Sequence, residues 1–85
     1  MAREETTRYV MGLDRNAEAK KIMSQVMAAL REKGYDPINQ LVGYFLSGDP
    51  TYITNHQGAR AVIRKMERDE LLEVILRDYI NHLSN

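Results

Sequence analysis

Three arginines in the C-terminal half of the chain have the spacing of a phosphate-binding row. Arg60, Arg64 and Arg68 recur every fourth residue, and Lys65 lies beside them. On one continuous helix this spacing places the three guanidinium groups on the same face, where they could hold a phosphate through charge-assisted hydrogen bonds. The alternative is a solvated face on which the arginines pair with the acidic residues that follow them. The sequence favours the solvated face and keeps the phosphate site as an alternative.

Two threonines near the N-terminus are suited to covalent modification. Thr6 and Thr7 lie among charged residues, in a segment without a sustained hydrophobic period. We predict a flexible N-terminal tail with its anchor over residues 1–13 and a single all-helical domain over residues 14–85. A hydroxyl on an exposed, extended segment is accessible to a protein kinase. Phosphorylation there adds about two negative charges and strong hydrogen-bond acceptors.

Signatures of catalysis and of metal binding are missing from the sequence. It contains no Gly-rich phosphate loop, no nucleophile elbow and no cysteine, and its two histidines, His56 and His82, lie far apart. The adjacent Asp69 and Glu70 are explained by a helix cap and a first-turn acid, and we place His56 in a solvated loop. The prediction is a protein with no enzymatic activity, no cofactor and no metal.

The overall charge limits the classes of partner. Twelve basic residues balance twelve acidic ones, whereas a domain that binds a nucleic-acid backbone usually has a basic excess. No apolar run approaches the length of a membrane span, and the N-terminus has no signal-peptide core. We predict a soluble cytoplasmic protein without a membrane partner. Two alternatives are a nucleic-acid-binding helical module that uses the arginine row and a purely structural protein-interaction domain.

Two stop–start signals organise the middle of the chain. Each combines a glycine, which can end a helix in the left-handed conformation, with Asp-Pro, which can cap and begin the next helix. They occupy residues 34–37 and 48–50 and enclose a short, largely apolar segment over residues 37–46. This pattern predicts one helix ending at Gly34 and a second, buried helix between the two signals.

Hydrophobic periodicity predicts the remaining helices. One helix covers residues 16–33, a third about residues 58–66 and a last one residues 70–83; whether the last two form one bent helix is left open. In the last helix we expect a wide apolar stripe with Leu71 and Val74 toward its margins, which needs more covering surface than one small chain supplies. The stripe consists of Leu72, Ile75, Leu76, Tyr79, Ile80 and Leu83. The fold class is all-α, a small compact bundle of four to five short helices.

The small size of the chain favours a homodimer. Eighty-five residues without cysteine give a marginal core that has neither disulfides nor thiolate metal sites to support it. Two helices are apolar over much of their circumference, so we predict an intertwined or extensively packed homodimer. Gly43 is expected to allow close approach of another helix, from the same chain or from a second copy. The candidate interface residues are Ile38, Leu41, Val42, Gly43, Phe45, Ile75 and Tyr79.

The same region carries a family pattern. It reads Gly-Tyr-Asp-Pro-Ile-Asn-Gln, then Gly-Tyr, then Ser-Gly-Asp-Pro-x-Tyr, and later Arg-Lys-x-Glu-Arg-Asp-Glu, at residues 34–40, 43–44, 47–52 and 64–70. In these blocks the chain closely resembles the IreB family of small regulatory phosphoproteins of low-GC Gram-positive bacteria. The resemblance covers the chain from about residue 33 to the last helix, and the first helix only by its pattern.

The resemblance implies a function that the residues alone do not. It implies an all-helical homodimer that is phosphorylated by a membrane Ser/Thr kinase with extracellular cell-wall-sensing repeats. The homodimer would act on an unidentified effector in cell-envelope stress and antibiotic tolerance. The family's Glu-Thr-x-Arg/Lys-Phe/Tyr acceptor segment matches residues 5–9. This match makes Thr6 the leading acceptor and Thr7 its neighbour. A second family threonine would fall at about Arg3, where this sequence departs from the pattern.

Overall fold

The architecture is all-helical, as the sequence predicts. The computed structural model describes the backbone of residues 2–83 and the side chains of residues 15–83. Over these residues it contains four α-helices, two single-turn 3-10 helices and no strand. The 3-10 helices are Pro50–Tyr52 and His56–Gly58. The α-helices are α1 (Ala2–Glu32), α2 (Pro37–Ser47), α3 (Ala59–Ile63) and α4 (Arg68–Leu83).

Helix α1 is longer than the hydrophobic pattern predicts. It begins at Ala2 rather than near Asn16. The added segment contains no proline, and Gly12 lowers helix propensity by only about 1 kcal/mol relative to alanine, so nothing in it ends the helix. The predicted tail falls mostly on residues whose side chains lie outside the described part of the chain. Its flexibility stays a prediction.

Gly34 ends α1 by the mechanism that its sequence context predicts. Its φ of 81° is left-handed, a conformation that costs glycine little. Its N–H donates to the Arg31 carbonyl at 3.0 Å, and the N–H of Tyr35 donates to the Leu30 carbonyl at 2.9 Å. These two bonds form a Schellman motif, and they satisfy carbonyls that the helix end would otherwise leave unpaired.

Helix α2 begins and ends at the predicted signals. The Asp36 carboxylate accepts a hydrogen bond from the N–H of Ile38 at 3.0 Å, and Pro37 occupies the first turn. At the other end Gly48, with a φ of 75°, donates its N–H to the Tyr44 carbonyl at 2.7 Å. The two stop–start predictions are therefore confirmed at the level of individual hydrogen bonds.

The second Asp-Pro pair starts a single 3-10 turn. Asp49 Oδ1 accepts hydrogen bonds from the Thr51 N–H at 3.0 Å and from the Thr51 hydroxyl at 2.7 Å. These two bonds, the backbone one first, hold the pKa of Asp49 below its ordinary value of 3.8 because they stabilise the ionised carboxylate.

Residues 58–83 form two helices. Helix α3 ends at Ile63, and α4 begins at Arg68. Met66, in the turn between them, is buried, as are Ile63 and Leu71 on either side. The break changes the helical phase so that all three side chains face the core.

The core lies where α1 packs against α3, with α2 and α4 closing it. Ile22, Val26 and Leu30 of α1 are almost completely buried, as the four-residue spacing predicts. The other buried apolar residues are Ala19, Ala29, Leu41, Tyr44, Ile53, Ala59, Ile63, Met66 and Leu71.

Candidate functional site

The predicted phosphoacceptors lie near the start of α1. The backbone of Thr6 and Thr7 is helical, and their side chains lie outside the described part of the chain. The first four N–H groups of any helix have no acceptor within the helix, so its first turns unwind at small cost. A kinase that binds an extended substrate therefore needs to open only this end of α1. That Thr6 and Thr7 are modified stays a prediction.

The structure distributes the three arginines over two helices. Arg60 is in α3, Arg64 immediately follows α3, and Arg68 is the first residue of α4. They therefore do not form a row along one continuous helix. None of the three forms an ion pair with a carboxylate among residues 15–83. The pairing with nearby acidic residues that the sequence favours is thus not found in the described part of the chain.

Two of these arginines contact the segment that follows α2. Arg60 is half-buried, and its Nε donates to the Ile53 carbonyl at 2.9 Å. The guanidinium of Arg68 lies directly against Gly48, in the space that a Cβ atom would occupy. Arg60 thus makes a structural contact, and the Arg68 guanidinium lies beside the C-terminal end of α2.

The remaining basic surface lies at the turn between α3 and α4. Arg64, Lys65 and Arg68 are exposed there, and we call them the junction patch. Because these exposed cations have no carboxylate partner among residues 15–83, they can accept an external anion at little desolvation cost. The junction patch replaces the Arg60–Arg64–Arg68 row as the candidate phosphate site.

The seven candidate interface residues differ in their exposure within one chain. Ile38, Val42 and Tyr79 are exposed, whereas Leu41 is buried. Phe45 and Ile75 are half-buried and pack against the core. Their part in an interface with a second copy stays a prediction.

Gly43 serves a contact within the chain. The ring of Tyr52 lies against its Cα, where a Cβ would clash. Gln40 holds the same turn, because its Nε2 donates to the Tyr52 carbonyl at 2.7 Å. The close approach that Gly43 predicts is therefore made by an aromatic ring of the 3-10 turn.

Within one chain, most of the predicted apolar stripe of α4 is exposed, and a residue from its margin packs in the core. Leu71, expected at the margin, is fully buried, and Val74 is half-buried. The residues Leu72, Leu76, Tyr79, Ile80 and Leu83 are exposed. Helix α4 is apolar over much of its circumference, so periodicity alone does not choose which side faces the core. The turn at Met66 makes that choice. A second exposed row on α2 consists of Ile38, Val42 and Leu46.

An ion-pair cluster connects α1 to α4. Arg15 lies 3.7 Å from a Glu70 oxygen and 3.8 Å from a Glu73 oxygen, and Glu73 also pairs with Arg77 at 2.9 Å. The Nε atom of Arg15 is buried without a hydrogen-bond acceptor in the described part of the chain. Sequence reasoning missed this cluster because its members lie far apart along the chain.

His56 has a structural partner. Its Nε2 lies 2.7 Å from Glu32 Oε1, and the Gln57 side chain donates to the same oxygen at 3.3 Å. Gln57 has a left-handed φ of 52°, which is uncommon outside glycine. Glu32 thus fixes the turn before α3 to the end of α1, so that His56, which we expected in a solvated loop, is half-exposed and has a side-chain partner.

The described residues provide neither a cluster of metal ligands nor a membrane-spanning helix. They include no group of three or more His, Cys, Asp or Glu side chains placed to hold a metal ion. None of the helices they form is both long and apolar enough to cross a membrane.

Comparison with known proteins assigns the family. A family model described as "IreB regulatory phosphoprotein" matches residues 4–81. A UPF0297 protein of Ruminiclostridium cellulolyticum is 52% identical over 85 residues, covering 100% of this chain and 97% of the relative. A UPF0297 protein of Acetivibrio thermocellus is 58% identical over 80 residues, covering 94% of this chain and 89% of the relative. Neither the family description nor the relatives' names indicate an enzymatic activity.

Proposed function

From the premise that this chain belongs to the IreB family of regulatory phosphoproteins, we propose that it is a non-enzymatic substrate of a Ser/Thr protein kinase. It acts as a cytoplasmic homodimer in cell-envelope stress and antibiotic-tolerance signalling. Thr6 is the leading acceptor and Thr7 its neighbour. The observation that carries the proposal is that residues 5–9 match the family's acceptor segment. These residues lie within the part of the chain that the family model matches, residues 4–81.

The position of the threonines supports modification without unfolding of the body. Among the residues of α1 whose side chains are described, the first almost fully buried one is Ala19, twelve positions after Thr7. Opening the first turns of α1 therefore exposes the acceptor segment and leaves the described core intact. Local opening of helix ends costs far less than global unfolding.

A phosphate on the tail has a candidate receptor on the body. The junction patch presents three exposed cations, Arg64, Lys65 and Arg68, near the end of α2. Arginine and lysine bind phosphate through charge-assisted hydrogen bonds, and arginine does so in a bidentate geometry. We propose that the phosphorylated and unmodified tails differ in their affinity for this patch or for the effector.

The first experiment identifies the acceptor. The full chain is incubated with the catalytic domain of a membrane Ser/Thr kinase and ATP, and phosphorylated residues are mapped by mass spectrometry. Thr6→Ala, Thr7→Ala and the double variant are compared with Thr51→Ala, which removes an exposed hydroxyl on the folded body. The expected result is loss of most phosphate in Thr6→Ala and of all of it in the double variant.

Thr51→Ala should be phosphorylated to the same extent as the unaltered chain. In the unaltered chain the Thr51 hydroxyl donates a hydrogen bond to Asp49 within a tight turn, so we do not expect the kinase to modify it. A phosphate that persists in the double variant would refute the assignment of the acceptor. An unphosphorylated protein whose binding to nucleic acid weakens steeply with salt would instead support the nucleic-acid-binding alternative. An unphosphorylated protein without such binding would support a purely structural interaction domain.

A further inference from the structure

The Arg68 guanidinium occupies a defined position against the residue that ends α2. Its Nη1 atom lies deepest in the space that a Cβ of residue 48 would fill, and its Cζ and Nη2 atoms lie 2.7 and 3.2 Å from that Cβ position. Only glycine leaves this space open, because every other residue carries a Cβ. Gly48 therefore has a second role besides ending α2, which is to make room for the guanidinium.

The C-terminal end of α2 gives an electrostatic reason for this position. The last carbonyls of a helix carry a partial negative charge, and α2 has no basic residue in its last turn. Arg68 supplies the missing cation from another helix. The carboxylate next to Gly48 is already occupied, since Asp49 Oδ1 accepts hydrogen bonds from the N–H and the hydroxyl of Thr51. The helix end thus attracts the guanidinium without pairing it to an acid.

The edge of the guanidinium that binds oxyanions points away from Gly48. In a planar guanidinium the Nε–Nη2 edge is directed opposite to Nη1. Arg68 is exposed, and neither atom of this edge has a hydrogen-bond or ion-pair partner among residues 15–83. The edge carries two parallel N–H donors, whose spacing matches two oxygens of a phosphate. Both donors are therefore oriented and open to a ligand within the described part of the chain.

We propose that this edge of Arg68 is the primary binding point of the junction patch for a phosphate dianion, and that Gly48 is the residue that positions it. The inference deepens the proposed function and rests on it, because it names the donor that receives the phosphate. Arg64 and Lys65 add longer-range attraction as exposed cations. The dianion is either a phosphothreonine of the tail or free phosphate, which present the same oxygens.

Acidic neighbours of Arg68 leave this edge open. Glu67 and Asp69 flank it in sequence and are exposed, yet neither forms an ion pair among residues 15–83. Asp69 Oδ1 instead accepts the N–H of Glu70 at 3.0 Å. Residues 64–69 contain three cations and two carboxylates, so the segment keeps a net positive charge.

The test titrates the full chain carrying Thr6→Ala and Thr7→Ala with two probes at constant ionic strength. One probe is inorganic phosphate, and the other is a peptide of residues 2–10 with phosphothreonine at position 6. Binding is followed by NMR through the Gly48 amide and the Arg68 Nε–H. Saturable shifts of both signals are expected with inorganic phosphate, and none with the unphosphorylated peptide.

The two probes distinguish the sources of the phosphate. A site that the phosphopeptide also fills takes its phosphate from the tail, whereas a site filled by inorganic phosphate alone takes free phosphate. Either result supports the binding point at Arg68. The absence of saturable shifts with both probes would overturn it.

Arg68→Lys tests the bidentate edge. Lysine keeps the charge but lacks the planar fork, so the affinity for phosphate should fall about 10-fold, as expected for the loss of one charge-assisted hydrogen bond. Lys65→Gln is the control, since it removes a whole charge of the junction patch and should weaken binding less. A larger loss in Lys65→Gln than in Arg68→Lys would show diffuse attraction and would overturn the proposal.

Gly48→Ala tests the positioning role, and Gly34→Ala is its matched control. Both glycines have a left-handed φ, 75° and 81°, so alanine strains the backbone similarly at either position. Only at Gly48 does the added Cβ displace Arg68. A guanidinium that must be ordered on binding should lower the affinity about 2-fold to 10-fold, whereas Gly34→Ala should bind as the unaltered chain does. Equal affinities of the two variants would refute the role of Gly48.

Kinase treatment separates this site from the assignment of the acceptor. Arg68→Lys with Thr6 and Thr7 intact should still be phosphorylated, because the kinase reads the other end of the chain. Phosphate mapped on Thr6 of a chain that binds neither probe would refute only the site. Saturable binding to a chain that the kinase leaves unmodified would support the site and refute the substrate assignment.

Discussion

Gly34 and Gly48 end helices in the same left-handed conformation but differ in what lies beside them. No atom lies near the position of an added Cβ at Gly34, whereas the Arg68 guanidinium fills that position at Gly48. Alanine in the left-handed region costs about 1–2 kcal/mol. We expect Gly34→Ala to lose about that much stability. Gly48→Ala should lose more stability than Gly34→Ala, because the added Cβ also meets the Arg68 guanidinium. The additional loss should stay below about 1 kcal/mol, because the end of the Arg68 side chain can move aside.

Chemical denaturation of the two alanine variants measures this difference. As a control, both glycine substitutions are repeated in a chain that carries Arg68→Ala. There Gly34→Ala and Gly48→Ala should be equally destabilising. The two substitutions Gly48→Ala and Arg68→Ala should therefore be non-additive, as expected of residues in contact. Equal losses in the unaltered background would contradict the contact.

The stability of the fold depends on pH through the carboxylate of Asp49. Its pKa in the folded protein lies below the ordinary 3.8, chiefly through the Thr51 backbone N–H and then the Thr51 hydroxyl. The ionised carboxylate therefore contributes stability above pH 3.8, which is lost as the pH falls through the lower folded-state pKa. Asp49→Asn keeps a cap acceptor and removes this dependence.

We therefore expect the stability difference between the unaltered chain and Asp49→Asn to be largest near neutral pH and to shrink under acid conditions. Denaturant unfolding at several pH values measures it. Thr51→Ala, which removes the hydroxyl donor alone, should show a smaller acid dependence than the unaltered chain. A difference that grows as the pH falls would show that the pKa of Asp49 is raised on folding.

Residue-scale features that depend on local backbone rules are readable from the sequence. Asp36, Gly34 and Gly48 act as caps because their conformational and hydrogen-bonding preferences operate over only a few neighbouring residues. The contacts of Arg15 with Glu73 and of Glu32 with His56 are different. They join residues brought together by the tertiary fold, and no local preference encodes them.

At the scale of elements, α2 and the 3-10 turn of Tyr52 act as one unit. Alanine at position 43 would gain about 1 kcal/mol of helix propensity. It would also clash with the Tyr52 ring, which would have to leave its packed position against Gly43. We expect Gly43→Ala to destabilise the chain by about 1–3 kcal/mol, as overpacking does.

The sign of this effect should reverse once the ring is removed. In a Tyr52→Ala background, Gly43→Ala should stabilise the chain, since only the gain in helix propensity remains. Thermal and chemical unfolding of the four variants give the comparison. Destabilisation of similar size in both backgrounds would mean that Gly43 serves some contact other than the Tyr52 ring.

Element boundaries were predictable where stop signals exist and less so elsewhere. Both ends of α2 agree with the sequence prediction, whereas α1 extends fourteen positions farther toward the N-terminus than its hydrophobic pattern. Which side of α4 packs on the core was not predictable, because that helix is apolar over much of its circumference. Core packing set by Met66 and Leu71 decides its orientation, and packing is not a property of the helix sequence alone.

At the scale of the whole molecule, the candidate regulatory parts lie in different elements of the fold. The acceptor segment begins α1, the junction patch lies between α3 and α4, and the exposed apolar face lies on α4. Arg15 is the described link between α1 and the rim of that face. In our proposal, a phosphate near the start of α1 influences the body in one of two ways, by binding the junction patch or by shifting the Arg15 contacts.

The sequence predicted this division of roles only through family resemblance. Composition and periodicity indicated a small helical protein that needs a second copy, and nothing in them indicated signalling. The arginine spacing suggested a phosphate row that the break before Arg68 divides. Which cations remain available depends on contacts such as that of Arg60 with the Ile53 carbonyl, and those contacts exist only in the folded chain.

The most direct test of the central claim compares backbone amide chemical shifts of the full chain with and without phosphate at Thr6. The double variant Thr6→Ala, Thr7→Ala, treated with the same kinase, is the control. The account predicts shift changes in the body, at the junction patch or along α4, that appear only in the phosphorylated chain. Changes confined to residues 1–13 would contradict it, since the phosphate would then have no effect on the folded domain.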